Sequence, residues 1–494
     1  MKASDITHQV IVGFEIHVQL ATRSKLFCGC AVEYGAAANS RTCPVCLGLP
    51  GVLPVMNRRA FEFAVLTGMA LNCRIAPYTK WDRKSYYYPD LPKNYQISQY
   101  DLPLAHGGHF EMALDGSSRR IGIIRVHLEE DAGKNLHDVP GCTLVDLNRT
   151  GTPLLEVVTE PDIHSADQAH AFCTEMQKLV TYLEVSHGVM QKGQMRFEPN
   201  INVAIRADGC EYRTPISEVK NLNSFRAVRS AIEYEHRRQV QDWLADPGYL
   251  IKERPNENRG WDNDKSATVF QRGKEEAHDY RYFPEPDLVP VQVDREWLDG
   301  IRSRLPELPL ARRRRLTSSY GLSAEDAATV VTDRATAELF DGAMAAGGPA
   351  ATLTKQFVNI WARLANERSV SVGRLGVEAE RMGALAGLVD AGTVSATAAK
   401  QIAERMLDSP EEPQALAESM GLVAVLDTDQ TAAWVDQAFA ANEKAVNDAM
   451  SNPKKAKKAA GFLRGQVMRI SGGKADPKLA GELIEARLAE LSKG

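Results

Sequence analysis

The chain has 494 residues, enough for about three domains of ordinary size. Hydrophobic residues make up 44% and charged residues 25%, the balance of a soluble globular protein rather than a disordered or fibrous one. A formal net charge of -5 argues against a protein that coats nucleic acid non-specifically, and no apolar stretch approaches the roughly 20 residues of a membrane span.

The start of the chain lacks a charged n-region, an apolar h-region and a cleavage site, so a reducing, cytoplasmic setting is expected. The first predicted strand runs from Gln9 to Leu20. Its even positions Val10, Val12, Phe14, Ile16, Val18 and Leu20 are all apolar, while Glu15, His17 and Gln19 share the other face. Such a polar face is usually just solvated.

Cys28, Cys30, Cys43 and Cys46 follow closely. Cys43-Pro44-Val45-Cys46 is a Cys-x-x-Cys knuckle, with Thr42, Pro44 and Gly48 supplying turn chemistry, and the four thiolates read as a closed tetrahedral Zn²⁺ site. Disulfides are the alternative, disfavoured in a reducing compartment. A closed site is structural, so chemistry must lie elsewhere. Cys73, Cys142, Cys173 and Cys210 stand singly and are expected to be buried packing residues.

Lys84 to Tyr100 is too interrupted by Pro89 and Pro92 for a helix and rich in tyrosine, which suits a pocket wall offering Lys84 or Lys93 to an anion, or else a packed surface loop. In Arg125-Val-His-Leu-Glu-Glu-Asp131, alternation places Glu129 with Arg125 and His127, and Glu130 with Val126 and Leu128, where an acid needs a partner. Glu156, in Leu154-Leu-Glu-Val-Val158, is an acid on a strand expected to be buried, and an unpaired carboxylate there costs several kcal/mol. Convergence of His17, Glu130 and Glu156 would supply imidazole and carboxylate ligands for Mg²⁺. Ion pairs with Arg125 or Arg149 are the rival account. No Walker A, G-x-G-x-x-G, G-x-S-x-G or H-E-x-x-H sequence occurs, so any use of ATP needs a less common site.

The texture changes near residue 290, where Pro284, Pro286 and Pro290 precede sequence rich in Ala, Leu, Glu and Arg. Asp408-Ser-Pro-Glu-Glu-Pro413 interrupts the helical pattern again, giving expected domains of 1–292, 293–407 and 408–494. The last carries a basic run, Lys454, Lys455, Lys457 and Lys458, which is either a solvated helix face or an RNA contact.

Eight ordered stretches give these pieces a common context: Val12 to Leu20, Cys43 to Gly51, Lys84 to Tyr100, His127 to Lys134, Asn148 to Pro161, Glu218 to Phe225, Lys274 to Leu288 and Gly465 to Met468. In them the chain resembles the B subunit of the aspartyl/glutamyl-tRNA amidotransferases. The resemblance implies an α+β fold: an N-terminal cradle with a mainly antiparallel sheet, then an all-helical domain and a small helical tail domain that contacts tRNA. It implies Mg-ATP-dependent phosphorylation of the side-chain carboxylate of mischarged Glu-tRNA(Gln) and/or Asp-tRNA(Asn), followed by amidation. Ammonia would come from a glutaminase A subunit through a channel, with a small C subunit completing the complex. Matched by motif, His17, Glu130 and Glu156 are the implied Mg²⁺ ligands. Lys84 and Glu129 line the pocket or channel mouth, and Glu15 is a further catalytic residue. Tyr86, Lys93 and Arg149 are the expected nucleotide contacts. One departure is Arg196-Phe-Glu-Pro-Asn200, where Glu198 replaces a shorter acid. A zinc-dependent RNA-binding module, or a hydrolase using the same Glu/His cluster without ATP, are the rival classes.

Overall fold

The computed structural model describes residues 6–137, 139–274, 280–424, 428–451 and 453–491. Contacts divide the chain into two compact units, Met1–Leu310 and Ala311–Gly494. The first is built on a ten-stranded sheet. In chain order its strands are β1 (Thr7–Gln19), β2 (Arg74–Ile75), β3 (Ala105–Leu114), β4 (Ser117–Glu130), β5 (Pro153–Thr159), β6 (Met195–Ala207), β7 (Cys210–Arg213), β8 (Ser217–Lys220), β9 (Asn256–Asp262) and β10 (Ala267–Lys274). The spatial order is β10-β9-β8-β6-β1-β5-β4-β3-β2, with β7 paired to β6. All pairs are antiparallel except β8 with β9.

The alternation in β1 decides the layering. Val10, Val12, Phe14, Ile16 and Val18 are buried in the core, and Phe14 stacks on Phe172 at 5.5 Å and meets Phe197 edge-on at 6.1 Å. Phe172 belongs to α2 (Ala166–Tyr182), one of three long helices with α1 (Arg58–Ala70) and α3 (Phe225–Ala245) that contribute to this core. Each starts at a polar residue whose side chain accepts backbone N–H groups of the first turn: Asn57, Ser165 and Ser224. With that face of β1 occupied, Glu15 and His17 fall on the other.

The proline-broken segment forms two short paired strands, Asp82–Ser85 and Tyr95–Ser98, joined to Phe283–Pro284 in a three-stranded sheet. Of the single cysteines, Cys173 is buried as expected. Cys142 and Cys210 are exposed, because one sits in a turn and the other begins the short strand β7.

In the second unit the described residues form helices, and the last strand of the described chain is Val291–Gln292, where the sequence texture changes. Val435, Phe439, Leu463, Val467 and Ile484 close a core of their own. Helix α4 (Pro453–Ile470) carries the basic run. Lys458 is exposed; the side chains of Lys454, Lys455 and Lys457 lie outside the described residues, as do residues 275–279 of the Lys274 to Leu288 stretch.

Candidate active site and cysteine cluster

Cross-strand register assembles the site. His17 of β1 pairs with Glu156 of β5 and with Arg196 of β6, and Glu156 pairs in turn with His127 of β4. Residues opposite one another in antiparallel strands share a face, so these four stand in one row. Glu129 stands two residues beyond His127 on the same side. His17 Nε2 lies 3.4 Å from Glu156 Oε2 and 3.8 Å from Glu129 Oε1. His127 Nε2 approaches the same acids at 3.5 and 3.8 Å. Ligand atoms of His17, Glu129 and Glu156 all lie within 4.8 Å of one another, a donor set that suits a hard or borderline divalent cation. The Nδ1 atoms of His17 and His127 have no hydrogen-bond partner, and that of His17 lies 3.8 Å from Glu198 Oε1.

Electrostatics agree with a cation site. Burial disfavours a charged His17, but the contact with Glu156 and the charges of Glu198, Glu156 and Glu129 outweigh it and raise its pKa to about 9. Burial would raise Glu156, yet His127, His17 and Lys84 hold it well below the usual carboxylate range. Burial also opposes the charge on Lys84, but Glu129, Tyr282 and Glu156 keep its ammonium protonated above the usual lysine range. A divalent ion bound through His17 would have to displace its proton. Its affinity for the isolated chain should therefore rise about tenfold per pH unit up to about 9 and then level off. Mn²⁺ titrations followed by EPR between pH 6.5 and 9.5 check this; a flat profile would remove His17 from the ligand set. In the metal-free chain the raised pKa has the opposite sign for stability. Its contribution is complete below about 6.5 and is lost as pH rises through about 9.

Further along the same face stands a second acidic group, Glu15, Glu198 and Glu218. Lys220 Nζ bridges Glu198 at 2.8 Å and Glu218 at 2.7 Å, and Asn200 Nδ2 donates to Glu15 at 3.1 Å. Burial, then Glu156 and Glu218, push the Glu15 carboxyl up. Beyond these acids opens a cavity of about 400 Å³ lined by Gly13, Thr159, Asn200, Asn202, Arg213 and Glu218. Four residue steps along β1 lead from Gly13 to His17, about 13 Å of strand. Acids, cations and cavity thus lie along one side of one strand.

Several expected site residues fall elsewhere. Glu130 does not join His17 and Glu156; Glu129 is the acid brought to them. Glu130 follows the alternation to the opposite face, where its side chain is 2% exposed and pairs with Lys93 and the Ile97 N–H. Lys93 is accordingly on that face too. Arg149 donates to the carbonyls of Ala132 and Gly133 and lies 3.6 Å from Asp131, bracing the turn after β4. Lys84 lies over the Tyr280 ring at 4.7 Å and Tyr86 packs near the same ring, both on the side of Glu129. Glu198 was singled out in sequence only as a departure, and His127 only as a neighbour of Glu129. Glu218 and Lys220 were legible only through strand alternation at Ser217–Lys220.

The sulfurs of Cys28, Cys30, Cys43 and Cys46 lie within 4.8 Å of one another and could hold a metal ion. A tetrahedral centre with bonds of about 2.3 Å sets sulfurs about 3.8 Å apart, which fits this spread. The knuckle turn ends at Gly48 with φ 67°, a left-handed position where glycine is at ease. The fully buried Lys25 donates to Cys46 Sγ at 3.5 Å. Contact with Cys28, then with Cys43 and Lys25, lowers the Cys46 thiol to about 4, while contact with Cys46 and then burial push Cys28 well up, and burial and then Cys43 push Cys30 to about 11.

The sequence profile of the GatB/GatE catalytic domain matches residues 10–299, which contain both clusters, and that of the GatB domain matches residues 338–488. The chain belongs to the GatB family. It is 45% identical to the B subunit of the aspartyl/glutamyl-tRNA(Asn/Gln) amidotransferase of Moorella thermoacetica over 97% of this chain and 100% of the relative. Against the Geobacter sulfurreducens protein of the same name it is 45% identical over 98% of this chain and 100% of the relative. For that of Carboxydothermus hydrogenoformans the figures are 43%, 98% and 99%. The matches run from the first strand to the tail, so this GatB-family chain carries both the catalytic and the terminal domain of its relatives. No helix among its described residues is long and apolar enough to cross a membrane.

Proposed function

We propose that the chain is the phosphorylating and amide-forming subunit of a tRNA-dependent amidotransferase, acting on glutamate mischarged on tRNA(Gln), aspartate mischarged on tRNA(Asn), or both. The observation that carries this reading is the His17, Glu129 and Glu156 cluster, continuous along β1 with a cavity large enough for a nucleoside. A carboxylate resists ammonia because it is already negative and has a poor leaving group; transfer of a phosphoryl group from ATP cures both faults.

His17, Glu129 and Glu156 would hold Mg²⁺, which neutralises charge on the phosphoryl group in transfer. The nucleoside of ATP lies in the cavity beside Gly13, with Asn200 and Asn202 offering amides to its polar edges. Its phosphates then run towards Glu15 and His17, past Lys220, whose ammonium balances Glu198 and Glu218. The amino acid to be activated meets the far end of this row, where Lys84 faces Glu129 and Glu156. Lys84 offers its charge to the acyl phosphate, and Glu129 beside it can take the proton that ammonia loses on attack. Tyr86 and Tyr280 help exclude water from this end, which preserves ammonia as the free base.

Ammonia comes from a glutaminase A subunit, and a small C subunit completes the complex. The chain reads as a catalytic cradle over 1–292, a helical domain over 293–407 and a tail over 408–494. The cysteine cluster holds structural zinc. The decisive assay mixes the chain and its partner subunits with Glu-tRNA(Gln), Mg-ATP and glutamine and measures Gln-tRNA. Asp-tRNA(Asn) in parallel resolves specificity, and turnover without ATP would instead favour a hydrolase.

The tail contacts tRNA through shape and phosphate, with Lys454, Lys455, Lys457 and Lys458 on α4. Deleting residues 408–494 should raise the KM for tRNA and leave Mn²⁺ binding at the cradle unchanged. Neutralising the four lysines should flatten the salt dependence of tRNA binding, each lost phosphate contact lowering the log–log slope by about 0.7–0.9. Identical slopes with and without the tail would show that it does not bind RNA.

A further inference from the structure

Beside Lys84, on the β4 side of the row, the rim of the site carries a stack of aromatic rings. Tyr100 and Tyr282 lie face to face, with centroids 4.1 Å apart and planes 8° from parallel, and Tyr282 meets Tyr280 edge-on at 6.0 Å. Tyr280 is in turn the ring over which Lys84 lies at 4.7 Å. One face of Tyr100 is covered by Tyr282, yet the residue is 51% exposed, so its other face is open.

The stack is anchored through its backbone. The Tyr100 N–H donates to the buried Asp82 at 3.0 Å, and its carbonyl accepts from Arg125 Nη1 at 3.4 Å. Arg125 lies on β4 opposite Val158, two residues before His127 and on the same face. Between the other two tyrosines Arg281 adopts φ 44°, a left-handed conformation that a residue with a side chain keeps only where its surroundings enforce it. Burial raises the Tyr282 phenol against the pull of Lys84, and Glu129, Arg125 and Glu156 act on it in turn, so the ring lies within reach of the charges of the site and stays neutral.

A rigid aromatic face bordered by a cation is what an unpaired base stacks on, whatever the sequence around it. The cavity assigned to the nucleoside of ATP is lined by other residues, so this face is left for a second base. A tRNA carries its amino acid on the ribose of the terminal adenosine of an unpaired end. When the side-chain carboxylate reaches Lys84, that adenine is only one nucleotide away. We propose that the open face of Tyr100, backed by Tyr282, receives the terminal adenine of the aminoacyl-tRNA. The platform meets a nucleotide common to all tRNAs; it fixes the point from which glutamate or aspartate extends and takes no part in choosing between them.

This inference rests on the amidotransferase reading, and a wild-type complex that forms no amide from Glu-tRNA(Gln) or Asp-tRNA(Asn) would sink that reading itself. In an active complex two stable inhibitors isolate the base. One is the amino acid that the complex amidates, joined through an amide to 3′-amino-3′-deoxyadenosine; the other is the same molecule with hydrogen in place of adenine. Removing an aromatic ring from beneath a stacked base costs roughly five- to 150-fold in affinity. Tyr100→Ala should therefore weaken the adenosine compound by about fivefold or more, leave the base-free compound unchanged, and leave the KM for ATP at its wild-type value. Tyr100→Phe, which keeps the ring, should match wild type. Tyr100→Leu, which still covers Tyr282, replaces the alanine variant should that one misfold, and should show the same dependence on the base. Equal losses for the two compounds would make Tyr100 a prop of its hairpin, and no loss for either would leave the adenine elsewhere. A raised KM for ATP would give the ring to the other nucleoside, and each of these three results overturns the proposal.

Discussion

His17→Ala, Glu129→Gln and Glu156→Gln should each lower tRNA-dependent ATP hydrolysis by on the order of a thousandfold, while the chain stays folded and assembled. Each change takes one ligand from a site that must neutralise charge on a phosphoryl group, which is worth several kcal/mol to the transition state. The three should also be strongly non-additive, since losing one ligand already empties the site. His17→Ala should fold best. It removes an imidazole whose Nδ1 has no hydrogen-bond partner, whereas Glu156→Gln leaves His17 and His127 without their shared carboxylate. Wild-type ATPase in any of the three, measured in the assembled complex with Glu-tRNA(Gln), would refute the ligand assignment.

Removing the metal from the cysteine cluster should instead destabilise the cradle by several kcal/mol without abolishing chemistry in the molecules that remain folded. The cluster joins the Cys28–Cys30 turn to the knuckle, and both bear on groups that close the core. Leu26 and Phe27 are buried beside Trp81, with Phe27 edge-on to it at 5.1 Å. Without metal, thiols must share protons around the depressed Cys46, and the buried Lys25 keeps a single thiolate as its hydrogen-bond partner. Cys43→Ser and Cys46→Ser should lose stoichiometric zinc by metal analysis and melt well below wild type. Unchanged zinc content in both would sink the assignment, and loss of zinc without loss of stability would deny it a structural role.

Much of the cradle was legible because a strand buried on one face writes its orientation into alternate residues. Val10 to Leu20 announced the core, and the same alternation separated Glu129 from Glu130. Residue reasoning and resemblance alike grouped His17 with Glu130 and Glu156; the acid found beside them is Glu129, which alternation sets on the face of His127. Residues between Lys84 and Tyr100 were harder, since prolines and tyrosines signal a constrained loop without saying which lysine turns to which side. Lys84 faces the acids of the site from its short strand, while Lys93, in the turn before the second strand, is held towards the knuckle by Glu130, a contact 37 residues away that local pattern does not hold. Glu218 and Lys220 were harder to place for a related reason. Their strand lies between β6, where Glu218 stands opposite Asn200, and β9, a parallel partner forty residues further on.

The row His127, Glu156, His17, Arg196 has a consequence for how this chain can vary. Four strands deliver one residue each, and each strand also places its next residue in the hydrophobic core, so catalysis and solubility are written in the same phase of a two-residue repeat. Losing or gaining one residue within β1 would turn His17 towards Phe172 and present Phe14 or Ile16 to the acids unless a bulge absorbed the change, as a register shift does in β5 at Val158/Thr159. Substitutions can tune such a face position by position, whereas insertions and deletions belong in the turns that join its strands or at such bulges. A mispaired β1 is penalised at once by buried charge and by exposed phenylalanine, so the features that make the site reactive also select the register in which it can form.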